Sequence, residues 1–236
     1  MKKAIIISLA VSAVLLQGCL MDCVSPSTNV TTETRAVPVF TGIKLLGSGT
    51  VVLHSGAPAP LTIRCNENIF PYLKTVVEGS TLVISFDKCV TGRTTLEIDA
   101  TIQELQLLEL SGSGKIIGVD NLDGSSMDLN ISGSGDIVAN IEANNVDSRI
   151  SGSGTITLAG RVNDHNIRIS GSGDLVGFDL ISADASASIS GSGTCELNVS
   201  NDLEVHISGS GDVIYKGSPE IHSNISGSGT VRALPN

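Results

Sequence analysis

Aromatic residues are scarce in this sequence. Its 236 residues contain no tryptophan, two tyrosines and four phenylalanines. Enzymes that cleave polysaccharides need a pair of carboxylates in a groove, and such grooves usually also carry aromatic side chains on which sugar rings stack. The sequence offers few residues for such platforms, which argues against an enzyme that cleaves carbohydrates.

Positive charge is scarce as well. The 14 lysines and arginines are outnumbered by 24 aspartates and glutamates, which gives a net charge of −10 at pH 7. The segment 1–18 contains two lysines and no acid, so without it the count of basic side chains falls from 14 to 12 and the net charge becomes −12. Because an acidic surface repels phosphate, we expect no nucleic-acid partner and no electrostatic attachment to anionic lipid.

A hydrophobic run long enough to cross a bilayer as a helix is also missing. The apolar run at 4–16 follows two lysines; it is too short to span a membrane and is typical of a signal peptide. It leads into "LQGC" at 16–19, which resembles the lipobox of bacterial lipoproteins. That resemblance implies cleavage after residue 18 and lipidation of Cys19. We therefore predict a signal peptide over 1–18, and a lipidated cysteine with a flexible polar tether over 19–36. The alternative is an ordinary secretory signal with a chance cysteine.

Five cysteines are present. Besides the proposed anchor Cys19, Cys23 falls within the predicted tether. Cys65 and Cys89 belong to a chain expected to fold in an oxidising compartment, so they are candidates for a disulfide. Geometry decides whether two cysteines can pair, and the sequence leaves this pairing open.

The sequence repeats itself. "SGSG" occurs seven times from position 111 onward, and the first glycines of the copies recur at a nearly constant interval, at 112, 133, 152, 171, 191, 209 and 227. An apolar residue stands directly before every copy, which no flexible linker would require. A period near 19 with alternating apolar residues indicates a parallel β-solenoid, in which coils about 4.8 Å apart close a common core. We predict an all-β, two-sheeted parallel β-helix as a single domain over 37–236.

The "SGSG" copies are placed at the tight turns between the two sheets. Glycine permits a positive φ at a sharp corner and lets the backbones of neighbouring layers approach closely. We expect the serines beside the glycines to form a ridge along this corner. Cys195 stands in a column of apolar residues that follows the motif, so we expect it to be a buried hydrophobic residue. The predicted turn glycines are Gly112, Gly114, Gly133, Gly135, Gly152, Gly154, Gly171, Gly173, Gly191, Gly193, Gly209, Gly211, Gly227 and Gly229.

Lys115 follows the first motif, and from the second copy onward the residue after the motif alternates between aspartate and threonine from coil to coil. Carboxylates on adjacent layers would lie about 5 Å apart and repel, whereas an intervening threonine doubles that distance. Asp136, Asp174 and Asp212 are therefore spaced too widely to share a calcium ion. The alternating residues are Asp136, Thr155, Asp174, Thr194, Asp212 and Thr230.

Other polar residues give no sign of a metal or catalytic centre. Arg149 and Arg168 are expected to stack on adjacent coils of an exposed sheet, and His206 falls in the same polar column as Arg168. The four histidines have no metal-ligand spacing, so we expect them on the surface, with no metal and no cofactor. The glycines do not match the dinucleotide-binding fingerprint. The histidines are His54, His165, His206 and His222.

The chain from about residue 37 to its end resembles the bacterial family of auto-transporter adhesins with a head GIN domain. The resemblance rests on "FTGIKLLGSGTVVLHSG" at 40–56, "EGSTLVISF" at 78–86 and the spaced "SGSG" copies. It implies a right-handed, two-sheeted parallel β-helix with GSG at the tight turns, export from Gram-negative bacteria, often with lipid anchoring, and a role in adhesion. It brings no catalytic residues. We expect residues 37–102 to form less regular coils that begin the same solenoid.

These observations predict a non-catalytic adhesion or binding surface in the cell envelope, attached to the outer membrane by lipid on Cys19. The candidate ligands are a glycan or a protein. An unpaired edge strand in the last coil favours a homo-oligomer. The alternatives are a β-helical glycan-active enzyme and a periplasmic structural lipoprotein without an external ligand.

Overall fold

The computed structural model describes residues 23–234. The predicted signal peptide and Cys19 lie outside these residues. The strands are β1 Val30–Arg35, β2 Gly42–Gly47, β3 Thr50–Ser55, β4 Leu61–Asn66, β5 Leu73–Glu78, β6 Thr81–Phe86, β7 Leu96–Ile102, β8 Leu107–Gly112, β9 Lys115–Asp123, β10 Ser126–Gly133, β11 Asp136–Gly152, β12 Thr155–Gly171, β13 Asp174–Gly191, β14 Thr194–Gly209, β15 Asp212–Gly217, β16 Glu220–Gly227 and β17 Thr230–Ala233. A 3₁₀ helix, Glu67–Tyr72, precedes β5. Within 23–234, no helix has the length and apolar character needed to span a membrane.

The strands stack into two sheets that share one core, which confirms the predicted β-solenoid. We call the sheet whose strands lead into the "SGSG" corner the front sheet, and the sheet whose strands leave it the back sheet. From β11 to β14, each strand crosses the back sheet, bends and returns along the front sheet, so that each contributes one layer to both. Pairing between successive coils is parallel, and it is in register along the front sheet, with Gly133 opposite Gly152 and Gly152 opposite Gly171. Bulges after Val138, Thr157 and Val176 shift the register within the back sheet.

Alternating apolar side chains fill the space between the sheets. The residue before each "SGSG" points inward, and Ile150, Ile169 and Ile189 are each 2% exposed. Cys195 is fully buried, as predicted, and the burial raises the pKa of its thiol. Because every coil repeats the same inward positions, the core is a set of continuous columns along the stack.

The corner glycines lie at the turn from the front sheet to the back sheet. The first glycine of each of the seven copies has a φ between 119° and 133°. Residues other than glycine rarely adopt this backbone conformation. A Cβ on Gly171 would lie 2.4 Å from the carbonyl oxygen of Gly152 in the layer below. Backbone hydrogen bonds continue through the corner, since the Ser172 amide donates to the same Gly152 oxygen at 2.9 Å.

The alternating aspartates and threonines lie beside one another on adjacent layers, as expected. Asp136 pairs with Thr155, and Thr155 with Asp174. Two of these carboxylates also bind the next layer. Asp174 Oδ1 accepts a hydrogen bond from the Thr194 amide at 2.8 Å, and Asp212 Oδ1 accepts from the Thr230 amide at 3.0 Å and from the Thr230 hydroxyl at 2.7 Å. Each such aspartate is therefore a link between layers as well as a separated charge.

The N-terminal part departs from the expected succession of coils. β2 and β3 form a complete coil, whose Gly47 pairs with Gly112. The chain then folds back, and β6 and β7 pair with the other side of that coil. β4 and β5 pair antiparallel with β7 and β6, and β1 pairs antiparallel with β4. The result is a cap of antiparallel strands that closes this end of the stack.

The flexible tether predicted over 19–36 is wrong for its described part, residues 23–36. β1 forms the outer edge of the cap, with Val30 opposite Asn66 and Arg35 opposite Leu61. The Val24 amide also donates to the Cys89 carbonyl at 2.8 Å. The polar sequence "VTTETR" suggested a tether because it has few apolar residues, but an edge strand outside the core does not need them.

The candidate disulfide between Cys65 and Cys89 is also wrong. Cys89 is bonded to Cys23, with their Cα atoms 4.5 Å apart. Cys65 is a free, fully buried thiol in β4, and burial raises its pKa. Its side chain points into the core between the sheets, whereas Cys89 lies in the exposed loop after β6, within reach of the N-terminal segment.

The opposite end of the stack has no cap among the described residues. β16 and β17 each pair on one side only, with β14 and β15. Ile225 is 39% exposed, although Ile207 at the same position one layer below is 2% exposed. The two ends of the solenoid therefore differ: the first is closed by antiparallel strands and the last leaves an open edge.

Candidate functional site

An open groove of about 860 Å³ runs along the outer surface of the front sheet. It extends across seven layers, from Glu109 in β8 to Ser226 in β16. At about 4.8 Å for each step between layers, this is a length of about 29 Å. We call it the front groove.

Two rows of outward-facing residues line the front groove, one residue from each layer. They flank the inward isoleucines, because side chains alternate between the two faces of a strand. The serine row consists of Ser132, Ser151, Ser170, Ser190, Ser208 and Ser226, and the mixed row consists of Glu109, Asn130, Arg149, Arg168, Ser188, His206 and Asn224.

The serine row is a line of free hydroxyls. Its members are in register from layer to layer, with Ser132 opposite Ser151 and Ser151 opposite Ser170. Their side chains are exposed, and no hydroxyl of the row hydrogen-bonds to another residue within the described chain. Since a hydroxyl can both donate and accept, the row offers a regular series of binding groups to solvent or to a ligand.

Sequence reasoning misplaced these serines as a ridge on the corner. The second serine of each motif does lie at the corner, but the first is still part of the front strand. The signal was available, because the first serine directly follows an inward-facing apolar residue and must therefore point outward.

The two arginines of the mixed row stack on adjacent layers, as predicted. Carboxylates in the neighbouring row hold them in place. Arg149 donates to Asp128 at 2.7 Å and to Asp147 at 3.1 Å, and Arg168 donates to Asp147 at 3.4 Å. Asp147 therefore bridges both guanidinium groups, which explains how two like charges can lie side by side on an exposed sheet.

The mixed row continues beyond the arginines with Ser188, His206 and Asn224 in register, as the sequence predicted for this column. His206 Nε2 lies 3.1 Å from Glu204 Oε1. Asp128 and Asp147 thus compensate the two arginines, Glu109 at one end of the groove pairs with Lys44 at 2.8 Å, and Glu204 adds a carboxylate towards the other end. The groove therefore carries no excess of positive charge.

The expectation of four surface histidines is wrong for His165. His206 and His222 are exposed and His54 is partly exposed, but His165 is 2% exposed. It occupies an inward position in β12, where Val146 and Ala185 are its neighbours in adjacent layers. Its Nε2 lies 2.9 Å from the hydroxyl of the buried Ser148. The apolar pattern of the sequence could not identify this inward position, because the residue that occupies it is polar.

Burial lowers the pKa of His165 from 6.5 to about 4. The folded protein therefore favours the neutral ring. Below pH 6.5 the unfolded chain binds a proton on this ring that the folded protein does not, so the free energy of unfolding is highest above pH 6.5 and falls as the pH drops from 6.5 towards 4. We expect the free energy of unfolding to fall by about 3 kcal/mol over that range from this residue, measured by urea denaturation at pH 7 and pH 4.

The control is the double variant Ser148→Ala, His165→Leu. Alanine and leucine occupy the same two columns at Ala187 and Leu203, so both residues fit the stack. The variant should lose the part of the pH dependence due to His165 and retain the part due to surface carboxylates. Equal pH dependence in the two proteins would contradict the assignment.

Metal-binding side chains do not gather around the front groove. No group of three or more His, Cys, Asp or Glu residues in the described part of the chain is arranged to hold a metal ion. The groove instead offers hydroxyl, amide and guanidinium groups, which bind through hydrogen bonds. The geometry therefore defines a parallel β-solenoid with an extended polar groove on one sheet.

Comparison with known proteins identifies the family. The model of the family described as "Putative auto-transporter adhesin, head GIN domain" matches residues 39–219. The chain belongs to this family. A comparison with curated proteins gave no match.

Solved structures share the fold. A putative adhesin from Bacteroides fragilis NCTC 9343 is 23% identical with a TM-score of 0.80, and the match covers 89% of this chain and all of the other. A putative adhesin from Parabacteroides distasonis ATCC 8503 is 23% identical with a TM-score of 0.74, over 90% of this chain and all of the other. A putative lipid binding protein from the same strain is 26% identical with a TM-score of 0.70, over 90% and 99%.

Proposed function

We propose that the protein is an exported, lipid-anchored adhesion or binding surface of the bacterial envelope and that it acts without catalysis. The observation that carries this proposal is the front groove, which presents a serine hydroxyl on layer after layer of the stack. Membership of an adhesin family supports the role. A repeated row of weak binding groups suits a repetitive ligand, because many contacts made together raise the overall affinity.

The proposed anchor is the lipid on Cys19, with the outer membrane as its site. The support is the sequence "LQGC" directly behind the hydrophobic run at 4–16. Lipid attachment to one cysteine through more than one acyl chain would give stable anchoring, which a single chain would not. The acidic surface of the protein contributes nothing to membrane attachment.

Replacement of Cys19 tests the anchor. We expect Cys19→Ser to abolish incorporation of an alkyne fatty acid, detected by in-gel fluorescence, and to release the protein from the membrane fraction. Cys195→Val is the control, because valine occupies the same column at Val213 and the variant should keep the label. Label on the Cys19→Ser protein would contradict the proposed anchor.

Cell-surface exposure and adhesion need separate measurements. We expect a protease added to intact cells to cleave the protein, and we expect deletion of the gene to reduce attachment of the cells to a polysaccharide-coated or matrix-coated surface. Protection from the protease until the outer membrane is permeabilised, together with unchanged attachment, would favour a periplasmic structural lipoprotein.

A further inference from the structure

We infer that the front groove binds an extended, uncharged polysaccharide along the stacking axis, with one sugar unit on each layer. This inference rests on the proposed binding function and names the class of ligand. It follows from the shape of the cavity, the pairing of its strands, the spacing of its side chains and the balance of its charges.

The shape and pairing of the groove exclude a ligand that adds a strand to the sheet. Every strand that lines the groove, except the terminal β16, is paired with a neighbour on both sides. The backbone groups of these strands are therefore occupied by the sheet itself. A ligand in the groove must bind through side chains, over an open length of about 29 Å.

The spacing of the rows fits a sugar polymer better than a peptide. Binding groups recur at about 4.8 Å, the distance between layers. An extended peptide advances about 3.3 Å for each residue and presents the same face every second residue, at about 6.7 Å, so it falls out of register after two layers. A sugar unit of an extended β-1,4-linked polysaccharide advances by nearly one layer, so one unit lies over each serine of the row. Successive units are turned by half a rotation, so units of the same orientation meet the groove on every second layer and stay close to register.

The chemistry of the rows matches the hydroxyl groups of sugars. The serine hydroxyls have no partner in the described chain and can donate or accept on every layer. Arg149 and Arg168 are held by Asp128 and Asp147, so guanidinium donors and carboxylate acceptors stand side by side. Such pairs can bind vicinal hydroxyls without a change of rotamer, which limits the entropy lost on binding.

The charges of the groove select against an anionic polymer. The carboxylates of Asp128 and Asp147 already compensate the two arginines, and Lys44 is paired with Glu109 at 2.8 Å. Glu204 adds a further negative charge beside His206. The whole chain has a net charge of −10. A uronate or sulfate polymer would meet repulsion here, whereas an uncharged chain would not.

The test is a titration of the purified full chain with uncharged β-1,4-linked oligosaccharides. Cello-, manno- and chito-oligosaccharides of two to seven units are added in turn, and binding is measured by isothermal titration calorimetry. We expect the affinity of at least one series to rise with each unit, because each added sugar meets one further layer. Alginate and heparin are the anionic comparison and are expected not to bind.

Two matched variants locate the site. The first is the triple variant Ser151→Ala, Ser170→Ala, Ser190→Ala. It removes three hydroxyls of the serine row and should weaken binding at least about tenfold. The control is the triple variant Ser153→Ala, Ser172→Ala, Ser192→Ala. It changes the second serine of the same motifs, which lies outside the groove, and should leave the affinity unchanged. Both variants should fold, because neither set of hydroxyls makes a hydrogen bond within the described chain.

Four results would overturn the inference. They are no binding of any uncharged series, preference for alginate or heparin, equal weakening by the two triple variants, and ice binding by the serine row in place of sugar binding, detected as a lowered freezing point of the solution. These results are distinct from failure of the proposed function. If the wild type binds none of the sugars but deletion of the gene still reduces attachment, adhesion uses another surface or ligand and the groove inference fails alone. If the groove binds sugars but deletion of the gene leaves attachment unchanged, the proposed adhesive function fails and the groove inference stands.

Discussion

Replacement of Gly171 by alanine should lower the free energy of unfolding by about 4 kcal/mol. Two costs add at this corner. The backbone has a φ of 119°, which an alanine adopts only under strain, and the new Cβ would lie 2.4 Å from the Gly152 carbonyl oxygen. Because that oxygen accepts the Ser172 amide, it cannot move away without breaking a bond between layers. Urea denaturation followed by circular dichroism measures the change.

Gly47→Ala is the matched control. Gly47 occupies the same corner column and has a similar φ of 113°, but nothing lies within 4 Å of its Cβ position. Gly47→Ala should therefore lower the free energy of unfolding only by the cost of the strained backbone, about 2 kcal/mol. The difference between the two variants isolates the contact between layers, and equal destabilisation would mean that conformation alone accounts for the corner glycines.

Loss of the disulfide between Cys23 and Cys89 should lower the free energy of unfolding by about 4 kcal/mol. The bond closes a loop with a sequence separation of 66 residues, and a crosslink over that length restricts the unfolded chain strongly. It also fixes the N-terminal segment to the cap, where β1 pairs with the edge of β4. The double variant Cys23→Ser, Cys89→Ser, compared with the wild type by urea denaturation, measures the effect.

A reductant and a third cysteine provide the controls. Dithiothreitol should lower the stability of the wild type to that of the double variant and should leave the double variant unchanged. Cys65→Ser should retain the disulfide, visible as the Cys23–Cys89 peptide after digestion without reduction. A disulfide-linked peptide that contains Cys65 would contradict the pairing in the structure.

The repetitive part of the fold could be predicted from the sequence because each coil repeats the same physical requirements. The spacing of the glycines and the apolar residue before each motif fixed the period, the corner and the inward columns, including Cys195. The Arg149 and Arg168 pair followed from the same register. In such a stack, one correctly placed residue places its equivalents in all other layers.

The cap could not be predicted in the same way because it occurs only once. No repeated pattern indicated that β4 and β5 run antiparallel, that "VTTETR" is an edge strand or that Cys23 reaches Cys89 across a loop. These features depend on contacts between segments distant in sequence. His165 was missed for a related reason, since its partner Ser148 makes a polar side chain acceptable at an inward position.

Because the last coil is open, the solenoid can be lengthened or shortened by whole coils. The cap closes one end, and every further coil needs only the edge of the coil before it as a template. Duplication or deletion of a single coil would keep the corner glycines and the front-sheet columns in register, and would lengthen or shorten the front groove by one layer. Under the binding mode proposed above, the number of coils would set how many units of a repetitive ligand the groove can hold.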